Sequence, residues 1–165
     1  MGEQLIESAD TLNLPGASQT TLLPALSAVP WLDAESAALV TGIVESVVTR
    51  HADLSAAILF GSVARHEERP LDDPAPSDVD LLLLFDSDPM TKRMSLDRRL
   101  AISHSIGLGM DRRLHAPREV NVVTGMSDLS DWSDEFVGSV THDGILLWAR
   151  GALPSRLARL ELRNH

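Results

Sequence analysis

The stretch "LFGSVARHEERPLDDPAPSDVDLLLLF", Leu59 to Phe85, joins the end of one apolar run to a Gly-Ser pair, a proline-rich loop, and a second apolar run headed by two aspartates. Its two ends decide the fold. "LSAAILFG", Leu54 to Gly61, and "VDLLLLF", Val79 to Phe85, are short apolar runs bounded by turn-forming residues, the pattern of strands covered on both faces. Between them "ERPLDDPAPS" carries too much proline for helix or strand and reads as a surface loop.

Working outward, Asp33 is an N-cap. After it Leu39, Val40, Ile43, Val44, Val47 and Val48 recur at three- and four-residue steps, which predicts a helix to about Arg50. Residues 1 to about 30, with Pro15, Gly16, Pro24 and Pro30, read as an irregular lead-in holding one short helix. Beyond the second strand, Met94, Leu96, Leu100, Ile102 and Ile106 predict a helix from Thr91 to about Gly107, and "REVNVVTG", Arg118 to Gly125, a third strand. Helical spacing resumes through Leu129, Trp132, Phe136 and Val140, Gly144 stops it, and "ILLWA" forms a last strand ahead of a short amphipathic "LPSRLARLELR". The expected architecture is α/β in the α+β sense: one domain over residues 31–165, with a small mixed sheet and helices packed on it.

A chain of 165 residues can bury a working core without disulfides or a structural metal, and the absence of cysteine removes both disulfides and thiolate metal sites. No apolar run approaches the roughly 20 residues of a membrane-spanning helix. Glu3 and Glu7 stand where a signal peptide would be basic, so the expected location is cytoplasmic. A net charge of −10 disfavours a general polyanion binder. Lys92, Arg93, Arg98, Arg99, Arg112 and Arg113 nevertheless cluster between the second and third core strands, as a local basic patch or a solvated helix face. The six histidines lack the paired spacing of a zinc site, and Trp31, Trp132 and Trp148 are expected to pack the core or its edge.

Gly61 and Ser62 sit where a strand gives way to a helix start. A turn there offers backbone N–H groups and a small hydroxyl to an anion such as a phosphate, and Arg65, one turn on, could reinforce it. Asp78 and Asp80 are two apart on a strand and share a face, so their carboxylates repel one another unless water or a cation intervenes. Hard divalent cations, Mg²⁺ above all, are bound by one or two such carboxylates together with substrate phosphates.

Taken together, "LFGSVAR…SDVDLLLLF" resembles the signature of the polymerase-β-like nucleotidyltransferases, in particular the minimal nucleotidyltransferase (MNT) group. The likeness spans about residues 35 to 150, since "THDGILLWARG" from Thr141 is similar to that group's terminal strand. It implies a nucleotidyltransferase fold, with Gly61 and Ser62 holding a triphosphate and Asp78 and Asp80 ligating Mg²⁺, two ions in the usual arrangement. It further implies transfer of a nucleoside monophosphate from an NTP, ATP for preference, to a hydroxyl on a protein, small molecule or RNA. Members of the group often partner a helical HEPN protein as the antitoxin of a toxin–antitoxin pair. The acidic balance makes a tRNA acceptor less attractive without excluding it.

Two departures from the pattern stand out. The loop between Ser62 and Asp78 is lengthened by "PLDDPAP", holding Asp72 and Asp73, a change to the rim that costs little. The family's third acid is replaced by Asn121 in "VNV". An amide can coordinate Mg²⁺ but cannot accept a proton, and loss of a general base costs about 10²–10⁴-fold in rate. Glu119, two residues earlier on the same face, is the candidate substitute; His66, next to Arg65, either approaches the phosphates or is a surface histidine. The competing expectation is a catalytically degenerate module that binds nucleotide or neutralises a partner.

Overall fold

The computed structural model describes residues 11–12, 20–87, 93–110, 116–130 and 132–163. In chain order they form β1 (Thr11–Leu12), β2 (Thr20–Thr21), a 3-10 turn (Pro24–Ala28), α1 (Ala34–Arg50), β3 (Leu54–Phe60), α2 (Gly61–Arg65) and β4 (Val79–Phe85). There follow α3 (Leu96–Gly109), β5 (Val120–Met126), α4 (Asp134–Asp143), β6 (Ile145–Ala149), a second 3-10 turn (Ser155–Leu157) and α5 (Ala158–Arg163).

β3 and β4 form where the apolar runs place them, because seven-residue segments without a single exposed side chain are satisfied only in the middle of a sheet. The order is β5-β4-β3-β6, with β3 antiparallel to both β4 and β6, and β4 parallel to β5 through the α3 crossover. This is the mixed sheet of the expected α/β class. Strand alternation sorts the core into two layers. Leu81, Leu83 and Phe85 of β4 face α1, whose Val40, Ile43, Val44 and Val47 are fully buried, each stabilising by roughly 1.5–3 kcal/mol relative to exposure. Leu82 and Leu84 face the other way, onto Val137 and Val140 of α4 and onto Leu157 and Leu160.

α1 starts at Asp33, whose carboxylate accepts the Ser36 N–H at 2.9 Å, as an N-cap should. Most of the lead-in lies outside the described residues, and the 3-10 turn Pro24–Ala28 stands where one short helix was expected. β1 and β2 pair as a two-stranded antiparallel ribbon, and Leu26 and Val29 are buried on the α1 layer. Three other boundaries move. α3 begins at Leu96, capped by Ser95, and runs to Gly109; Thr91 and Lys92 lie outside the described residues. β5 is Val120–Met126, two residues later than expected at its start. α4 starts at Asp134 behind the Ser133 cap, so Leu129, with φ 56°, and Trp132 belong to the preceding loop despite their helical spacing.

α3 packs against α1 through Ile102 and through its smallest residues. The two backbones meet at Gly42 and Gly109, where a Cβ on Gly109 would lie 2.8 Å from the Ile43 Cα and closer still to the Gly42 carbonyl. Ser46 Oγ donates to the Ser105 carbonyl at 2.6 Å, and His51 Nε2 lies 2.7 Å from Ser105 Oγ. Gly107, two residues away, faces open space. Gly109→Ala should therefore destabilise by about 1–3 kcal/mol, because backbone on the far side cannot yield. Gly107→Ala should stabilise by about 0.5–1 kcal/mol through helix propensity alone. Urea unfolding of the two variants beside the parent checks the pair.

Candidate functional site

At the end of the sheet where β3 finishes and β4 begins, the strand register aligns three residues in one row. Asp80 pairs with Phe60 on one side and with Asn121 on the other. Asp80 shares the face of Leu82 and Leu84, so it opens on the α4 side of the sheet, away from α1. Asp78 lies immediately before β4 in the same alternation, and both aspartates are half-buried.

β3 ends at Phe60, and Gly61 opens α2 at φ 77°, a backbone geometry that side chains rarely adopt. The Asp80 carboxylate fills the space a Cβ would take there: the Asp80 Cγ would stand 3.1 Å from such an atom, and its Oδ2 closer. The turn and the second aspartate of the motif are therefore in direct apposition. α2 is a single turn. His66 ends it in the left-handed region at φ 58°, and Ser62 O accepts the Glu67 N–H at 2.9 Å.

Asn121 answers the repulsion that the paired acids raise in sequence. Its Nδ2 donates to Asp78 Oδ2 at 2.9 Å, and its side chain lowers the proton affinity of Asp80. Asp80 is nevertheless held above its ordinary pKa of 3.8. Burial is the main cause and the Asp78 charge adds to it, while the Asn121 hydrogen bond and the Arg65 charge pull the other way.

The remaining predicted residues are placed as follows. Arg65 stands close enough to act electrostatically on Asp80, but its guanidinium is shared by Glu67 at 2.9 Å and Asp143 at 3.8 Å. Glu119 meets the site through its backbone, its carbonyl accepting the Val79 N–H at 2.8 Å, and its side chain is exposed. His66 turns to Trp31 instead, stacked at 4.3 Å with the rings nearly parallel, while Trp31 Nε1 donates to the Val63 carbonyl at 2.6 Å. Asp73 caps a local turn through Ala75 N, and Asp72 is exposed, as expected of the inserted loop. Of the basic cluster, Arg98 turns inward to Asp53 and lies over the Phe85 ring; Lys92, Arg112 and Arg113 fall outside the described residues.

One residue that the sequence did not single out organises the rim. Arg118 is 5% exposed, donates to the carbonyls of Arg69 at 2.9 Å and Ser77 at 2.8 Å, and pairs with Asp33 at 3.6 Å. It ties both ends of the inserted loop to the start of α1, and Ser77 is the residue before Asp78. A lone arginine at the head of a strand carries no spacing signal that could have revealed this.

The donor set can be tested against Mg²⁺. Two adjacent carboxylates match an ion that keeps water and substrate phosphates as its other ligands. The raised proton affinity of Asp80 marks a place where a cation would be welcome. Among the described residues no group of three or more His, Asp or Glu side chains is positioned to hold a metal by itself. The residues present fit metal coordination that is completed by a ligand.

No family model and no curated protein matches the chain. Solved structures resemble it. One is a Sulfolobus solfataricus protein assigned as a nucleotidyltransferase, 23% identical over 70% of this chain and 84% of that one, with a TM-score of 0.44. Another is a toxin–antitoxin structure with AMP-PNP, 14% identical over 76% of this chain and 82% of that one, TM-score 0.44. A third is the Shewanella oneidensis complex of tri-AMPylated HEPN toxin with MNT antitoxin, 16% identical over 67% of this chain and 70% of that one, TM-score 0.39. Likeness at this level carries no functional argument of its own.

Because the folded protein binds a proton at Asp80 more tightly than the unfolded chain does, Asp80 makes stability fall as pH rises from 3.8 through its raised value. Asp80→Asn removes the ionisation. The variant should match the parent below that window and exceed it in stability above, as read by urea unfolding across a pH series.

Proposed function

We propose that this protein binds a Mg²⁺–nucleoside triphosphate at the Gly61/Asp80 junction and transfers the nucleoside monophosphate to a hydroxyl acceptor. The observation that carries the reading is the contact of the Asp80 carboxylate with Gly61, which joins a turn suited to phosphate and a pair of acids suited to a cation. Gly61 and Ser62 would receive the triphosphate, and Asp78 and Asp80 would hold the ion. When bound, Mg²⁺ supplies charge stabilisation at the phosphate during in-line attack. The chain's own part is positioning: Arg118 fixes the peptide leading into Asp78, and β4 fixes Asp80. The motif's resemblance also motivates a HEPN-type protein as partner or acceptor.

Asn121 supports a second reading. Its amide sits where an acid would deprotonate the acceptor, and it donates to Asp78. A site so arranged could retain nucleotide while having lost transfer.

Incubation with α-labelled ATP, Mg²⁺ and the protein encoded by the neighbouring gene separates the two. Transfer of label that disappears in Asp78→Ala and Asp80→Ala supports the enzyme. In that case Asn121→Asp should raise the rate by about 10²–10⁴-fold, the usual worth of a general base. ATP binding without transfer, in both the parent and Asn121→Asp, supports the binding module and overturns the enzyme.

A further inference from the structure

β5 stands at one edge of the sheet and β6 at the other. Sheet edges are ordinarily guarded by shortness, bulges, proline or charge, because a row of unpaired N–H and C=O groups invites another strand. β6 is five residues long and its register with β3 is irregular. β5 has none of these guards. It runs for seven residues, Val120–Met126, without proline or charge, and its register with β4 is unbroken from the Val79–Val120 pair to the Phe85–Met126 pair.

The ladder fixes which backbone groups of β5 face outward. The Glu119 carbonyl accepts the Val79 N–H at 2.8 Å and the Ser127 N–H donates to the Phe85 carbonyl at 2.7 Å, so the odd-numbered residues from 119 to 127 are the ones bonded to β4. The N–H and C=O of Val120, Val122 and Thr124 therefore point away from the sheet, and among the described residues nothing hydrogen-bonds to them. An antiparallel second β5 with Val122 on the two-fold axis sets Val120 opposite Thr124, Val122 opposite Val122 and Thr124 opposite Val120. Each of these pairs can exchange both of its hydrogen bonds.

The ends of the edge favour a second copy of this chain over an unrelated strand. In that register Glu119 of each copy meets Gly125 of the other. Glu119 is exposed and forms no ion pair among the described residues, while Gly125 borders a cavity of about 540 Å³ that Arg93 and Arg99 also line. Asp128, the acid in that cavity, is turned to Ser130, accepting from its N–H and its hydroxyl at 3.2 Å. Antiparallel self-pairing thus joins an acidic end to a basic end twice, by symmetry. Arg99 lies between Leu96 and Leu100 on α3, 71% and 60% exposed, which puts apolar surface beside the same end.

We infer that the outer edge of β5 is a homodimer interface, in which two copies join antiparallel about Val122 so that their four-stranded sheets become one. The pairing also sets Val123 of each copy across from Asn121 of the other, so the second copy borders the row that holds Asp80. The inference is independent of the reading of Asp78 and Asp80, since its test follows association and not nucleotide.

Sedimentation equilibrium of the purified full chain should find a dimer and gives its dissociation constant. Val122→Pro keeps the bonds to β4, because the N–H it removes faces outward, and should weaken association by about tenfold or more. Glu119→Arg and Arg99→Glu should each weaken it, and the two combined should restore it. Hydrogen exchange resolved by residue gives a reading free of substitution. In the parent, the N–H groups of Val120, Val122 and Thr124 should gain protection as protein concentration rises, while those of Asn121, Val123 and Gly125 stay protected throughout. A parent that stays monomeric at every concentration overturns the inference, as does a dimer that a folded Val122→Pro leaves intact, or one in which those three outward N–H groups exchange freely. A charge-reversed pair that associates no better than its single variants overturns the register about Val122. Circular dichroism checks the fold of Val122→Pro, and if that variant is unfolded the exchange pattern in the parent decides.

Discussion

The close approach of the Asp80 carboxylate to Gly61 is the constraint on which the rest of the site depends. β3 and β4 are antiparallel, so the end of one lies beside the start of the other, and the register sets Phe60 opposite Asp80. A side chain at position 61 would collide with that carboxylate, and the positive φ of the turn would strain it further. Glycine is therefore favoured by backbone conformation, and a Cβ there would in addition push the Asp80 carboxylate aside. The parallel pairing of β5 on the other side of β4 then brings Asn121 into line. Three strands of different sequence position meet in one row because hydrogen-bond register, once fixed by the buried leucines, leaves no freedom at the strand ends.

What holds the acids ionisable so close together is partly local and partly borrowed. Asn121 donates into the pair from β5, and Arg65 contributes charge from α2 while its own guanidinium is held by Glu67 and Asp143. Burial works against both and leaves the Asp80 carboxyl above its ordinary pKa. A fully neutralised pair would have little need of a cation; an unrelieved one would be too costly to keep. The arrangement lies between those limits. Arg118 adds a mechanical element, pinning the long loop at both ends so that its proline-rich middle can vary without displacing Asp78.

The two faces of the sheet are used differently. On the side of α4, apolar packing is completed by Phe60, Phe136 and Trp132, whose rings are in mutual contact and whose indole covers Gly125. On the side of α1, α3 is joined by Ile102 and by close glycine and serine contacts, and its leucines lie outside. Close backbone approach at Gly42 and Gly109 fixes the rotation of α3, and that rotation determines which residues reach solvent.

Only the motif's resemblance to a known family placed Gly61, Asp78, Asp80 and Asn121 in one expected site; by itself the sequence determined the strands Val79–Phe85 and Ile145–Ala149, the helix capped by Asp33 and the shared face of Asp78 and Asp80. Those features follow from local rules: uninterrupted apolar runs, a capping side chain at a helix start, and same-face projection of residues two apart. Tertiary structure alone decided the rest. Leu129 and Trp132 keep helical spacing outside a helix because the loop before α4 must cross the sheet edge, where Trp132 settles over Gly125. Leu96 and Leu100 look like core and are not, since α3 turns Ile102 and Ser105 inward and leaves the two leucines exposed. Arg118, His66 and Glu119 have destinations set by neighbours 30 or more residues away in the chain, or by which side of a turn they leave from, and no periodicity records either.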